Sequence, residues 1–432
     1  MAVLSSMKSH QSSEIPEDRL SSLHDSVLCR ILNRLPIEEA VRTCVLARRW
    51  RKTWTNITDL QFDDKKQRDH GDNRFVQLVQ HVLHGVSSPH INSFCLESVN
   101  TCEESVLGPW LSTVLSRCLQ RLAITWYEPE SLDLSPFFGR FSSLVELRLR
   151  VNSILNIYGP VKLPNLRFFS LEDARIFNVS SASGQLCFCL PALETFEASY
   201  CHCFGTSSIV IDSPCLELFE MIECSFEQIP DGSGNCHIRV LAPNLAKIMF
   251  SGSLPQTVFL SFPLSLPDAY LSLGKWCWTP SFLEGFSCVK SLGLELSNDF
   301  GTAKVPKFRQ LVYLHLIYDM VEHRNLMKFL DRSPKLEMLS IRDLESVNPI
   351  YHSSLFSIEP PDCVRTTIRV LQIRNFNASL QQLTVVKYFM EKAEILGPVI
   401  LCTPKYTHVP EEIKARILNY PKASANVRVF FE

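Results

Sequence analysis

The sequence predicts an α/β protein with three parts: a short all-helical segment, a long repeat solenoid and a small α/β unit at the C-terminal end. Between Asp25 and Ile57, apolar residues recur at the spacing of amphipathic helices. From residue 90 onward, an L-x-x-L-x-L pattern returns mostly every 22 to 29 residues, which is the period of leucine-rich repeats. Beyond residue 346, this pattern gives way to alternating helix and strand signals.

Composition limits the classes of function. A chain of 432 residues is too long for one compact core, so several domains or an elongated repeat architecture are expected. Charged residues make up 20% of the chain and the formal net charge is −2, so no overall field favours nucleic acid or a membrane. The N-terminal residues lack the apolar core of a signal peptide. We therefore expect a cytoplasmic or nuclear location, or both, with most of the 16 cysteines acting as small buried hydrophobes.

Three short helices are predicted after a flexible, polar tail at residues 1–16. The first begins near Asp25, and its apolar stripe comprises Val27, Leu28, Ile31, Leu32 and Leu35. Pro36 ends this helix, because the residue before a proline is pushed out of the helical region, and Pro36 can begin a second helix. The third helix is predicted from the spacing of Leu46, Trp50, Trp54 and Ile57. Their shared core is too small to be stable alone, which predicts a partner.

Within residues 17–64, the string DRLSSLHDSVLCRILNRLPIEEAVRTCVLARRWRKTW closely resembles the F-box of plant F-box proteins. The resemblance implies docking on a Skp-family adaptor and, through it, on a cullin–RING ubiquitin ligase. His24 departs from the family, which usually has proline at this position. The resemblance also implies an adaptor-binding set, some of whose members must instead fill the small internal core: Leu23, Val27, Leu28, Ile31, Leu35, Pro36, Ile37, Ala40, Val41, Val45, Leu46, Trp50 and Trp54.

Two other interpretations of this segment stay open. One is an ordinary helical hairpin inside a larger core. The other is nucleic-acid binding, because basic residues cluster around Trp50, namely Arg42, Arg48, Arg49, Arg51 and Lys52. Acidic residues close by balance that charge, which is more typical of a solvated face, so the F-box interpretation is preferred.

Residues 65–89 are predicted to form a linker helix, with one apolar face that includes Phe75, Val79 and Val82. His81 and His84 are three residues apart on this helix. No cysteine or carboxylate stands at a spacing that would complete a metal site, so we expect them to be surface residues.

The repeats occupy residues 90–345. The alternating tail of each copy predicts a short strand whose apolar side points into the solenoid. A weaker copy at Leu271 and Leu273 fills the widest gap. The other copies, the last of which lies just beyond residue 345, are Ile91-Phe94-Leu96, Leu119-Leu122-Ile124, Leu144-Leu147-Leu149, Leu166-Phe169-Leu171, Leu193-Phe196-Ala198, Leu216-Phe219-Met221, Leu245-Ile248-Phe250, Val289-Leu292-Leu294, Leu311-Leu314-Leu316, Leu336-Leu339-Ile341 and Ile368-Leu371-Ile373.

Side-by-side stacking of these strands predicts an extended sheet with a large binding face. The strand positions expected to be exposed carry charges of both signs, so no class of target is indicated and the target-binding residues stay unknown. Examples are Glu197, Glu220, Lys247, His315 and Ser340.

Residues 346–432 hold the last repeat and an α/β cap. Ser379 with Gln382 is predicted to cap a helix that ends before Gly397-Pro398. A strand at residues 399–402, a short helix at 410–418 and a strand at 427–431 are predicted to follow. The strings PPDCVRTTIRVLQIRNF and LTVVKYFMEKAEIL resemble the FBD domain that follows leucine-rich repeats in many plant F-box proteins. That resemblance implies architecture but no chemistry.

No catalytic, cofactor-binding or metal-ligating residues are predicted. The sequence contains no GxxxxGK[ST] phosphate loop, no GxSxG elbow and no HExxH helix. The pair Cys187/Cys189 and the run Cys201-His202-Cys203 lack the C-x2–4-C spacing of zinc knuckles, and we expect buried strand thiols there.

Together, the two resemblances imply a non-catalytic substrate receptor of an SCF-type (Skp–cullin–F-box) ubiquitin ligase. Its partners would be the adaptor and an unidentified target protein, without nucleic acid, membrane or cofactor. The alternative is a leucine-rich-repeat scaffold or sensor that acts outside ubiquitin transfer.

Overall fold

A computed structural model describes residues 22–64, 74–98, 104–127, 134–178, 184–227, 237–252, 259–261, 266–273, 283–295, 305–318, 323–343, 359–405 and 408–432. Within these ranges the α-helices are α1 (Asp25–Leu32), α2 (Ile37–Arg42), α3 (Trp50–Thr53), α4 (Arg74–Gly85), α5 (Glu104–Leu115), α6 (Ser135–Phe138), α7 (His323–Asp331), α8 (Asp362–Thr366), α9 (Leu380–Lys392) and α10 (Glu411–Leu418). The strands are β1 (Asp59–Asp63), β2 (Ser93–Ser98), β3 (Arg121–Trp126), β4 (Glu146–Val151), β5 (Ile154–Ile157), β6 (Val161–Lys162), β7 (Phe168–Glu172), β8 (Arg175–Asn178), β9 (Gln185–Cys189), β10 (Thr195–Ser199), β11 (His202–Phe204), β12 (Ser208–Asp212), β13 (Leu218–Ile222), β14 (Ser225–Glu227), β15 (His237–Leu241), β16 (Lys247–Gly252), β17 (Phe259–Ser261), β18 (Asp268–Leu273), β19 (Ser291–Glu295), β20 (Tyr313–Tyr318), β21 (Met338–Asp343), β22 (Val370–Arg374), β23 (Pro398–Cys402) and β24 (Arg428–Phe431).

One parallel sheet of 15 strands runs through the described chain, in the order β1-β2-β3-β4-β7-β10-β13-β16-β18-β19-β20-β21-β22-β23-β24. The predicted repeat positions are confirmed, because all three apolar residues of every full copy from Ile91 to Ile373 are buried. Leu271 of the weaker copy is also buried and lies in β18. The sheet continues past the predicted repeats, since β1 precedes them and β23 and β24 follow.

The central coils are built from three strands each, and the described residues between β4 and β17 contain no helix. A second parallel sheet has the order β14-β11-β8-β5, and a third has the order β17-β15-β12-β9-β6. Their inward positions alternate with outward ones, so each coil contributes apolar side chains from three sides to the same core. Examples from the third sheet are Phe188, Ile211 and Val240. The L-x-x-L-x-L pattern predicts only the first strand of each coil.

A left-handed residue marks the corner after the main strand in three successive central coils. Asp173, Tyr200 and Glu223 have φ of 59°, 54° and 48°. The next residue in the latter two coils is a buried cysteine whose thiol donates to backbone carbonyls, at 3.6 Å from Cys201 to Leu171 and 3.5 Å from Cys224 to Ala198. The buried thiols thereby find acceptors on the main strands inside the core. Cys187 and Cys189 differ from the prediction, because they are on the outward side of β9 and only half-buried.

Helices cover the back of the solenoid at its two ends. The predicted linker helix is α4, which packs against α5, with Val79 and Val82 fully buried. It therefore belongs to the core of the first repeat. At the other end, α8 contacts both α7 and α9, and α9 contacts α10. Among the described residues, no helix is both long and apolar enough to cross a bilayer.

Candidate protein-binding surface

The first helix exposes apolar side chains on one side while it buries others. His24 caps α1, its Nδ1 accepting from the backbone N–H of Ser26 at 3.3 Å, and Asp25 in the first turn suits the helix dipole. Leu28 and Leu32 are four residues apart and fully buried. Val27, Ile31 and Leu35 remain 37% to 40% exposed. The helix ends at Leu32, earlier than predicted.

Asn33 explains the early end of α1. Its side-chain oxygen accepts from the backbone N–H of Thr58 at 3.0 Å, and its amide donates to the Thr58 hydroxyl at 3.1 Å. These bonds tie the end of the helix to the residue that precedes β1. The N-terminal helices are thereby fixed to the first strand of the solenoid.

A second group of exposed apolar side chains lies at the corner between α2 and α3. α2 begins after Pro36 and buries Ile37 and Ala40. A 3₁₀ turn at Thr43–Val45 follows, and it leaves Val45 81% exposed and Leu46 68% exposed. A buried valine or leucine side chain contributes roughly 1.5–3 kcal/mol, so leaving both in water forgoes stabilisation that a partner surface can supply. The predicted third helix is shorter, because only Trp50–Thr53 is α-helical, followed by a 3₁₀ turn at Trp54–Asn56.

The structure separates the 13 predicted contact residues into three groups. Five are buried inside the chain, namely Leu28, Ile37, Ala40, Trp50 and Trp54. Leu23 and Val41 are half-buried and pack against the core. The remaining six are exposed and form what we call the apolar face: Val27, Ile31, Leu35, Pro36, Val45 and Leu46.

Trp54 joins the N-terminal helices to the solenoid. Its ring stacks on His81 of α4 with centroids 6.5 Å apart and planes inclined by 20°. It also lies over Gly85, where an added Cβ would come 2.3 Å from Trp54 Cη2. The glycine is therefore required by the close approach of the indole. His81 and His84 are exposed, as predicted, and His84 Nδ1 lies 2.7 Å from the Gln80 carbonyl.

Two of the five clustered basic residues are paired with carboxylates. Arg42 contacts Glu39 at 2.7 Å and Arg49 contacts Asp25 at 2.6 Å; Arg49 is partly exposed and the other three side chains are largely exposed. Exposed pairs of this kind stabilise by less than about 1 kcal/mol. The pairing supports the interpretation of a solvated face. No group of three or more potential metal ligands occurs among the residues that the structure describes.

Comparison with known proteins identifies two domains in this architecture. The F-box domain family matches residues 20–60, which contain α1 to α3, and the FBD family matches residues 357–401, which contain α8, β22 and α9. The chain is 55% identical over 434 residues to an F-box/FBD/LRR-repeat protein of Arabidopsis thaliana, covering 100% of this chain and 98% of that protein. A second F-box/FBD/LRR-repeat protein of the same plant is 29% identical over 76% of this chain and 75% of its own length. An FBD-associated F-box protein, also from Arabidopsis thaliana, is 25% identical over 88% of this chain and 89% of its own length.

Proposed function

The chain belongs to the plant F-box/FBD/LRR-repeat family, and from that membership we propose that it is a substrate-recognition subunit of an SCF-type ubiquitin ligase. Its F-box would dock on a Skp-family adaptor, and the outward face of its 15-stranded sheet would hold a target protein. The family names indicate a non-catalytic, adaptor-type role. The proposal places the chain in the cytoplasm, the nucleus or both.

The apolar face is the observation that supports adaptor docking most strongly. Twelve large hydrophobic side chains are exposed in the described part of the chain, and five of them lie within residues 27–46. Clustered exposed apolar residues on a soluble protein mark an interaction surface. The cluster coincides with the F-box match at residues 20–60.

The proposed role in ubiquitin transfer requires only positioning. A receptor accelerates transfer by holding the target near the charged conjugating enzyme, which raises the effective concentration of the reacting groups. That effect depends on a stiff connection between the two binding surfaces. The Asn33–Thr58 bonds and the Trp54–His81 stack provide such a connection between the F-box and the first repeat.

The test is adaptor binding by a variant of the apolar face. We expect Val45→Asp/Leu46→Asp to reduce co-purification with a Skp-family adaptor by at least tenfold, because two carboxylates would be desolvated at the interface. Both positions are highly exposed, so the fold should be retained and the circular dichroism spectrum unchanged. Leu35→Ala/Pro36→Ala tests the other edge of the face in the same assay.

The matched control is Leu418→Asp, which places the same charge at an exposed leucine at the end of α10. It should leave adaptor binding unchanged. Normal adaptor binding by the Val45/Leu46 variant would overturn the proposed docking surface. If the adaptor binds but no cullin co-purifies, the scaffold alternative outside ubiquitin transfer is favoured.

A further inference from the structure

The outward face of the main sheet contains a cavity of about 540 Å³ near its C-terminal half. Its lining comes from β16, β18, β19, β20, β21 and β22, together with Asn375 just after β22. A volume of this size lies within the range of small-molecule sites, which is roughly 300–1,000 Å³. The first lining residue of the cavity, Lys247, lies more than 180 residues after the F-box match at residues 20–60, and nothing in the proposed adaptor docking uses the cavity.

Strand register explains which side chains meet at the cavity. Outward positions of neighbouring parallel strands form three rows across the sheet. The row through the middle is Met249, Tyr270, Gly293, His315 and Ser340. The row at one side begins with Lys247, Asp268, Ser291 and Tyr313, and the row at the other side contains Ile317, Arg342 and Arg374.

A glycine in the middle row allows an aromatic ring to form the floor. An added Cβ at Gly293 would come 2.4 Å from Tyr270 Cδ2 and 3.1 Å from Cε2. The tyrosine ring therefore lies over the backbone of β19. Tyr270 gives the floor an apolar, aromatic surface with Met249 and Ile317 on either side.

His315 lines the cavity, and Ser340 is its register partner in β21. They were expected to be exposed, yet His315 is only 8% exposed and Ser340 is fully buried. The Ser340 hydroxyl donates to Gln372 Oε1 at 3.1 Å and lies 3.0 Å from His315 Nδ1. Because the one hydroxyl proton is directed to Gln372, the imidazole carries its proton on Nδ1 and leaves Nε2 as an acceptor.

The imidazole is neutral at physiological pH. Burial, then the charge of Arg374 and to a smaller extent that of Arg342, lower the pKa of His315 to about 4. The histidine therefore adds no positive charge of its own to the cavity. The lowered pKa of His315 shows that the positive charges of Arg342 and Arg374 extend into the cavity.

The positive charge is concentrated at one side. Arg342 and Arg374 are register partners on adjacent strands, which are spaced by about 4.8 Å. Both are exposed, and no carboxylate of the described residues forms an ion pair with either. Glu295 in the same row is separated from Arg342 by Ile317 and accepts a bond from Ser272 at 2.7 Å.

The opposite side of the cavity is closer to neutral. Lys247 and Asp268 are register partners there, so their charges offset each other locally. The lining as a whole holds three permanent cations and one carboxylate. Two guanidinium groups on adjacent strands beside an aromatic floor are suited to a planar anion, since arginine binds carboxylates through paired N–H donors.

We propose that this cavity binds a small organic acid, with its carboxylate between Arg342 and Arg374 and its apolar or aromatic body over Tyr270. The proposal stands independently of adaptor docking. A carboxylate on a target protein is the other source of the same chemistry. The volume of about 540 Å³ and the recessed His315 favour a small molecule, because a side chain that enters from a protein must also accommodate the surrounding main chain.

The experiment uses the full chain and the fluorescent aromatic anion 1-anilinonaphthalene-8-sulfonate. Only the dye signal that phenylacetate displaces is counted, which separates the cavity from other apolar surfaces. We expect phenylacetate to displace the dye at least tenfold more effectively than the uncharged phenylacetamide. Arg342→Gln/Arg374→Gln should reduce phenylacetate affinity at least tenfold, and because both residues are exposed the variant should fold normally.

A second variant tests the space without changing the charge. Ser291→Trp places a large ring in the cavity from an outward, half-buried position and should abolish displacement. The matched control is Arg148→Gln/Arg150→Gln, which removes two arginines from the same sheet face at β4 and should leave phenylacetate affinity unchanged.

Three outcomes would overturn the proposal. The first is equal displacement by phenylacetate and phenylacetamide. The second is an equal loss of affinity in the control pair at β4, which would indicate generic electrostatic attraction. In the third, phenylacetate does not displace the dye, whereas a short peptide with a free C-terminal carboxylate does and its amidated form does not. That result would assign the cavity to a carboxylate of a protein. Adaptor co-purification by Arg342→Gln/Arg374→Gln should stay normal in every case.

Discussion

Individual side chains on the outward sheet face differ sharply in their access to water. Glu197 and Glu220 are register partners in adjacent strands, and burial followed by the Glu220 charge raises the pKa of Glu197. His315 is recessed far more deeply and bonds to Ser340. An outward strand position therefore does not by itself determine exposure, because neighbouring long side chains close over short ones.

At the residue scale, His315 predicts a pH-dependent stability. Its pKa is about 4 in the folded chain and near 6.5 when exposed, so between these values the unfolded state binds more protons. Stability should therefore fall as pH decreases from about 6.5 to about 4, by up to about 3 kcal/mol. Replacing the imidazole by an amide, in His315→Gln, should remove this part of the pH dependence.

The measurement compares urea midpoints of the wild-type chain and His315→Gln at pH 7.5, 6 and 5. The difference between the two curves isolates this residue from the carboxylates that also titrate. His84→Gln is the control, since that side chain is exposed on α4 and should give a curve parallel to wild type. If the urea midpoints of His315→Gln changed with pH in parallel with those of the wild-type chain, the imidazole of His315 would not be buried and neutral as inferred.

At the scale of single elements, α9 is the best example of a helix whose start follows from local chemistry. The Ser379 hydroxyl accepts from the Gln382 N–H at 3.3 Å, which confirms the predicted cap. The fully buried Gln382 reaches further back than a standard capping box, its Oε1 accepting from Asn377 N–H at 2.9 Å and its Nε2 donating to the Asn375 carbonyl at 3.1 Å. It therefore closes the left-handed turn at Asn375, which lines the cavity.

We predict that Gln382→Ala destabilises the chain by about 2–4 kcal/mol, because two backbone groups lose their partner and a small void forms. Ser379→Ala should cost about 1 kcal/mol, as expected for a cap alone. Thermal unfolding of purified variants measures both. Gln381→Ala, at a half-buried position of the same helix, serves as control and should be close to neutral. A loss below about 0.5 kcal/mol for Gln382→Ala would show that water replaces its bonds.

The central coils show a different relation between pattern and element. Pairs such as Leu186/Phe188, Ile209/Ile211 and Ile238/Val240 alternate with outward residues and recur at the repeat interval. This period-2 signal predicts a further strand in each coil. These residues lie outside the longer L-x-x-L-x-L pattern, which therefore does not predict their strands. Three-residue strands such as β11 and β14 carry too few residues for a periodicity.

At the scale of the whole molecule, one continuous core joins the F-box to the C-terminal unit. The buried residues form a single cluster from Leu28 to Val427. α2 contacts β1, so the helices cover the first edge strand of the sheet. The partner expected from the small size of the F-box core is in part the first repeat of the same chain.

We predict that Gly85→Ala lowers stability by about 1–3 kcal/mol, because the new methyl group overlaps the buried Trp54 ring. A gain in helix propensity of about 1 kcal/mol opposes this loss. Since the contact joins the F-box to the first repeat, amide hydrogen exchange should rise in α1 and β1 more than in β22 to β24. Thermal unfolding and exchange measured together test both parts.

Gly139→Ala is the matched control for this junction. Gly139 follows α6 with φ of −66°, and an added Cβ there meets no atom within 4 Å. The change should be neutral within about 0.5 kcal/mol. If Gly85→Ala were equally neutral, the Trp54 ring would have to move freely. The inference of a stiff connection between the F-box and the first repeat would then be wrong.

The sequence by itself determined the apolar positions of the repeats, the F-box and FBD segments, and the cap of α9. Each of these is recorded locally, in the spacing of apolar residues or in a capping pair a few residues apart. Only the tertiary structure separated the 13 F-box candidates into core and apolar face, made α4 part of the first repeat, and brought Arg342 and Arg374 together beside Tyr270. These properties depend on contacts between residues distant in sequence, and a periodic pattern shows which residues share a face but not which neighbours cover them.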